Sequence, residues 1–151
     1  TRQQPIAGDL RMISAALKVV TDLERIGDQT ADIAELMLRL KGNELDKFSR
    51  HIVGMLQVAK EIVHDAVDAF VKKDSEASKL VIKHDDVVDE LSSKVKDDLV
   101  QMLREGVSNV DACVDVLMIA KYLERIGDHA VNIAEWEIFQ ESGSIKDIRL
   151  I

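Results

Sequence analysis

The sequence predicts an all-α protein made of long antiparallel helices. Three observations carry that expectation. Breakers are scarce, with one proline and seven glycines in 151 residues. Apolar residues recur at helical spacing, and no alternating, strand-like stretch stands out. Short turns bounded by capping residues divide the chain into four long segments. Apolar residues make up 46% of the chain, so one domain's worth of sequence can bury a core.

The first helix is expected from Pro5 to Lys41. Proline suits a first helical turn, and Gly42 suits the stop. The second is expected from Asn43, with Asp46 completing a capping-box-like pair, to Lys73. Asp74 or Ser75 restarts the chain for a third helix ending near Glu105, and Gly106 stops it. Ser108, with Asp111 three residues on, is expected to cap a fourth helix reaching Gln140, before Gly143. At about 1.5 Å per residue such helices are roughly 50 Å long. Long helices joined by short turns form bundles.

The net charge of −8 argues against a broad nucleic-acid surface and suits cations or basic partners. The single cysteine, Cys113, excludes an internal disulfide, fits a reducing compartment and is expected to be a small buried apolar residue. No apolar run approaches the roughly 18 residues of a membrane span, and no signal peptide is evident. The chain begins at Thr1 rather than methionine, which leaves its native start open.

The hexapeptide LERIGD occurs twice, as Leu23–Asp28 and Leu123–Asp128, and the flanking residues are related too. Two helices precede the second copy and complete a three-helix unit with it. Almost nothing precedes the first copy. Read as a duplication, the chain is a fragment of a protein of about six helices. Leu23, Ile26, Ile33 and Met37 are then expected to be left exposed, and such a patch drives self-association.

On a helical projection Glu24 falls in the row of Ile6, Ile13, Leu17 and Ala31, and Glu124 in the row of Cys113, Leu117 and Val131. Asp28 and Asp128 follow one turn later. Each copy therefore places two carboxylates on an apolar side. Two carboxylates at i and i+4 repel unless a cation or a proton lies between them. Gly27 and Gly127, both expected to face inward, each cost about 1 kcal/mol against alanine, so close approach of a neighbour or an ion is expected. Asp85 and Asp89 repeat the spacing on the third helix, and Asp32 and Asn132 extend each acidic row. An all-oxygen site of Glu24, Asp28, Asp32, Asp85, Asp89, Glu124, Asp128 and Asn132 suits Mg²⁺, Ca²⁺, Mn²⁺, iron or Zn²⁺. The competing reading pairs Glu24 and Glu124 with Arg or Lys across the bundle, and leaves Asp85 and Asp89 on a solvated face. Arg25 and Arg125, beside the motifs, are candidate contacts for phosphate or an acidic partner, against the plainer role of solvated arginines. Glu61 and His64 form one ExxH, whereas ferritin-like di-iron sites need two.

QPIAGDLRMISAALKVVTDLERIGDQTADIAE and LMIAKYLERIGDHAVNIAE closely resemble the two signature helices of the PhoU family. KKDSEASKLVIKHDDVVDEL resembles the turn and second helix of that family's second repeat. The resemblance covers nearly the whole chain. It implies tandem three-helix bundles, with residues 1–42 as the third helix of an incomplete first repeat and 43–151 as a complete second repeat. It also implies metal ions, multinuclear in some members, at Glu24/Asp28 and Glu124/Asp128 with Asp85 and Asp89 facing. The implied role is a cytoplasmic, membrane-peripheral, non-enzymatic regulator. It would repress phosphate uptake and starvation signalling through a transporter ATPase and a sensor histidine kinase. A carboxylate-bridged di-metal enzyme and a purely structural dimerisation module are the alternatives.

Overall fold

A computed structural model describes residues 3–40 and 45–143. They form four long helices and one short one: α1 (Gln3–Arg39), α2 (Leu45–Phe48), α3 (Arg50–Lys72), α4 (Ser75–Arg104) and α5 (Val110–Ser142). No strand occurs among the described residues, so the fold is all-α as expected.

The caps explain the boundaries. Ser49 lies in extended backbone, and its Oγ accepts from His51 N at 3.1 Å. It thereby satisfies an orphan donor of α3. The same hydroxyl donates to Asp98 Oδ2 at 2.6 Å, and His51 Nδ1 lies 2.7 Å from that oxygen. This cap ends α2 and delays α3 until Arg50, well beyond the start expected at Asn43. Asn43 and Gly42 lie outside the described residues. Lys73, at φ 54°, closes α3, and Asp74 caps α4 through its bond from Ala77 N. Gly106, at φ 84°, follows the end of α4. Asn109, rather than Ser108, caps α5, because its amide oxygen reaches Ala112 N at 3.1 Å. Gly143 ends α5 at φ 65°.

Helices α3, α4 and α5 each pack against the other two, while among the described elements α1 packs against α5 alone. The buried rows follow helical spacing: Ile52, Met55, Ala59, Ile62 and Ala66 on α3, and Val81, Val88, Val95 and Leu99 on α4. With neighbours on three sides, α5 is buried over most of its circumference, and Cys113 is among its buried residues.

Helix α1 runs antiparallel to α5. A side-chain carbon at Gly143 would fall 3.0 Å from Arg11 Nη1, Asp22 meets His129, and Arg39 pairs with Asp115 at 3.4 Å. The two LERIGD copies therefore cross near their midpoints, where Ile26 and Ile126 line one groove. Facing α5 are Ala15, Val19, Asp22, Ile26, Ile33 and Leu36, all buried. Ile26 and Ile33 are thus core residues and not part of the exposed patch; Leu23 and Met37 are partly exposed. The exposed apolar stripe is Ile6, Leu10, Ile13, Leu17 and Val20. The projection found that row but placed it inward. A helix with two apolar sides does not reveal which one has a partner.

Candidate functional site

The acidic residues of the second repeat converge. Asp85 and Asp89 on α4 face Glu124 and Asp128 on α5, and their charges act on one another. The i, i+4 spacing puts each pair on one side of its helix, and the packing of α4 on α5 brings the two sides together. Burial, reinforced by the charges of Asp89, Asp128, Asp86 and Glu124, pushes the Asp85 carboxyl up to about 7. Burial followed by Glu124 and Asp86 raises Asp89. Burial followed by Asp89 and Glu124 raises Asp128, with His129 opposing. Negative charge is thus concentrated here, with Asp85 and Glu124 half-buried and Asp89 and Asp128 exposed at the rim.

Two groups temper it. Ser92 donates a hydrogen bond to Glu124 Oε1, and Lys121 Nζ lies 3.2 Å from Glu124 Oε2. Ser92 belongs to the site although the acidic pattern does not reveal it; its signal is position, since Asp85, Asp89 and Ser92 stand at i, i+4 and i+7. Asp85 Oδ1 is buried without a hydrogen-bond partner. Gly127 is what lets it sit there: a side-chain carbon on that residue would fall 2.4 Å from Asp85 Oδ1. An orphaned carboxylate oxygen, a glycine cradle and hard oxygen donors fit a cation. As they stand, no three His, Cys, Asp or Glu side chains among the described residues form a group that could hold a metal ion.

The first repeat differs. Glu24 and Asp28 are exposed on the side of α1 away from α5, contrary to their expected inward placement. Gly27 is exposed as well, and a side-chain carbon there would meet nothing within 4 Å among the described residues. The cause is the same for all three: α1 has only α5 beside it among the described elements. Asp32 is half-buried. Asn132 turns toward α1, where its Nδ2 donates to Asp22 Oδ1 at 3.3 Å. His129 Nδ1 lies 2.9 Å from the same oxygen. Asp22, 7% exposed, is the polar clasp between α1 and α5, and neither it nor His129 stands out in the acidic pattern. Arg25 and Arg125 are both exposed, and Arg125 lies over the Tyr122 ring, 5.5 Å from its centre. His64 is exposed beside Asp65, outside any cluster with Glu61.

Comparison with known proteins identifies the fold and the family. The PhoU domain model matches residues 1–37 and 52–136. The phosphate-specific transport system accessory protein PhoU homolog of Clostridium acetobutylicum is 38% identical over 147 residues, covering 97% of this chain and 67% of that protein. PhoU homolog 1 of Thermotoga maritima is 38% identical over 144 residues, covering 94% of this chain and 62% of its own length. The chain therefore spans about two thirds of these relatives. The crystal structure of PhoU from Pseudomonas aeruginosa matches with a TM-score of 0.80 at 33% identity, over 93% of this chain and 68% of that one. The phosphate transport system regulatory protein PhoU from Streptococcus pneumoniae matches with a TM-score of 0.82 at 26% identity, over 91% and 65%. On this evidence the chain belongs to the PhoU family.

Proposed function

We propose that this chain is a metal-binding regulator of phosphate-specific transport, an adaptor and not an enzyme. It represses phosphate uptake and starvation signalling by linking a transporter ATPase to a sensor histidine kinase at the cytoplasmic membrane surface. Its relatives are named as accessory and regulatory proteins of phosphate transport. No described helix is long and apolar enough to cross a membrane, which is consistent with attachment through partners. The observation that carries the metal part is Asp85 Oδ1, buried and unpartnered among three further carboxylates.

Asp85, Asp89, Glu124 and Asp128 would hold the ion. Iron, zinc, manganese or magnesium would supply the positive charge that these residues lack, in a structural or regulatory role. Elemental analysis of protein purified without chelators tests this. Metal present in the native chain and absent from a folded Asp85→Asn/Glu124→Gln variant supports the site; no metal in either discards it. The regulatory part is tested in a bacterium lacking its own PhoU, carrying a phosphate-starvation reporter. Repression by this chain in high phosphate is expected, and an unrepressed reporter with the folded chain present counts against it.

We further propose that α1 is the third helix of a first three-helix repeat and that α3–α5 form the second. In this arrangement two more helices cover the stripe from Ile6 to Val20 and bring carboxylates to Glu24 and Asp28. Without such cover the stripe drives self-association.

A further inference from the structure

Glu137, near the C-terminal end of α5, is fully buried. Facing it is the first turn of α4, whose Ser75 and Ser78 hydroxyls lie 3.1 and 3.3 Å from Glu137 Oε2. Ser75 Oγ is also hydrogen-bonded to Glu141 Oε2, one turn along α5. Glu137 Oε1 is buried and has no hydrogen-bond donor among the described residues.

Counting protons shows what is missing. A hydroxyl carries one proton, so Ser75 donates to Glu137 or to Glu141 but not to both. Ser78 supplies one more, to Glu137. Two ionised carboxylates here would leave a buried oxygen unsatisfied and set two like charges side by side. One additional proton removes both faults: a protonated Glu137 becomes a donor toward the Glu141 carboxylate within its hydrogen-bonding reach, and the pair keeps a single negative charge. The first turn of a 30-residue helix favours that charge and disfavours a metal cation.

Other charged groups surround this end of the bundle. Asp74 caps α4, and Glu76 pairs with Lys79. Lys72, at the end of α3, pairs with Asp68, and Arg11 of α1 lies against Gly143. Lys79 and Lys83 line a cleft of about 860 Å³ beside Ser75 and Glu141, which gives the pair a route to solvent.

We propose that Glu137 and Glu141 share one proton, and that this proton latches the last turns of α5 to the first turn of α4. Burial, then the charge of Glu141, pushes the Glu137 carboxyl up, with the serine hydroxyls opposing. The sign follows. A carboxyl raised on folding stabilises the contact at low pH, and that contribution is lost as pH rises through its folded pKa. The latch is therefore closed in acid and loosens toward alkaline pH.

Hydrogen exchange of the whole chain, followed by mass spectrometry across pH, tests the proposal. After correction for intrinsic exchange, opening of residues 75–82 and 135–142 should rise by up to about tenfold per pH unit between the unfolded and the folded pKa of this carboxyl, and level off above the folded one. Glu137→Gln, whose amide supplies a permanent donor, should abolish the rise. Asp85→Asn, which alters the other acidic cluster, should retain it. Glu141→Gln, the second variant, should make the rise level off at lower pH, since a like charge and a strong acceptor are removed together. The proposal is overturned if the rise survives Glu137→Gln, if Glu141→Gln leaves the pH at which it levels off unchanged, or if Mg²⁺ or K⁺ restores protection at high pH in an Asp85→Asn/Glu124→Gln background that lacks the other acidic site.

Discussion

Two glycines with the same neighbours in sequence have different neighbours in space. Gly127 is buried against Asp85, and Gly27 faces open space. Gly27→Ala should therefore raise stability by about 0.5–1 kcal/mol, the ordinary helix-propensity gain, measurable by denaturant unfolding. Gly127→Ala should change stability little, because the same gain offsets displacement of a flexible carboxylate. Its effect should fall on metal affinity, weakened about tenfold or more, since ligand displacement of an ångström or so disrupts a small-ion site; calorimetric titration checks this. Asp85 adds a pH dependence. Its carboxyl, pushed up to about 7 chiefly by burial, contributes stability below the unfolded value and loses it as pH rises through 7. Metal-free wild type should lose melting temperature as pH rises from about 4 to 7, and Asp85→Asn should lose less.

At the level of elements, α1 is held differently from the rest. Helices α3, α4 and α5 are mutually packed, whereas among the described elements α1 packs on α5 alone and is clasped there by Asp22. Elements with fewer partners open at lower free energy. Asp22→Ala should cost about 1–3 kcal/mol, the loss of hydrogen bonds to a buried charged group. Hydrogen exchange should show that cost in α1 first, with the α3–α5 amides still protected. Uniform loss of protection along the chain would contradict this order. Much at this scale was legible in the sequence: helix number, the turns near Lys73 and Gly106, and the end of α5 all follow from local chemistry. The start of α3 was not, because Ser49 caps that helix while reaching Asp98 on α4, a contact 49 residues away.

For the whole molecule, two faces remain to be matched with what covers them. The α1 stripe includes Ile6 at 61% and Leu17 at 66% exposure. Light scattering at micromolar concentration should give a mass above that of a monomer, and Leu17→Lys should reduce it; a monomer throughout would show that the stripe tolerates water. The acidic face is the other. A bound ion stabilises whichever state holds it, so Mn²⁺ or Zn²⁺ should raise the melting temperature of the native chain and leave Asp85→Asn/Glu124→Gln unchanged.

Sequence alone determined the all-α class, the long helices, the repeated motif and the acidic pairs, because spacing along a helix is a local property that every copy of the pattern shares. Tertiary structure decided which copy has carboxylates opposite it. Asp85 and Asp89 stand across from Glu124 and Asp128 because α4 packs on α5, while Glu24 and Asp28 face away from α5, the one described helix that packs on α1. It also turned Asn132 and His129 toward Asp22, and buried Glu137 against two serines. Those contacts join residues about 60 to 110 positions apart, and no periodicity within a single helix specifies them.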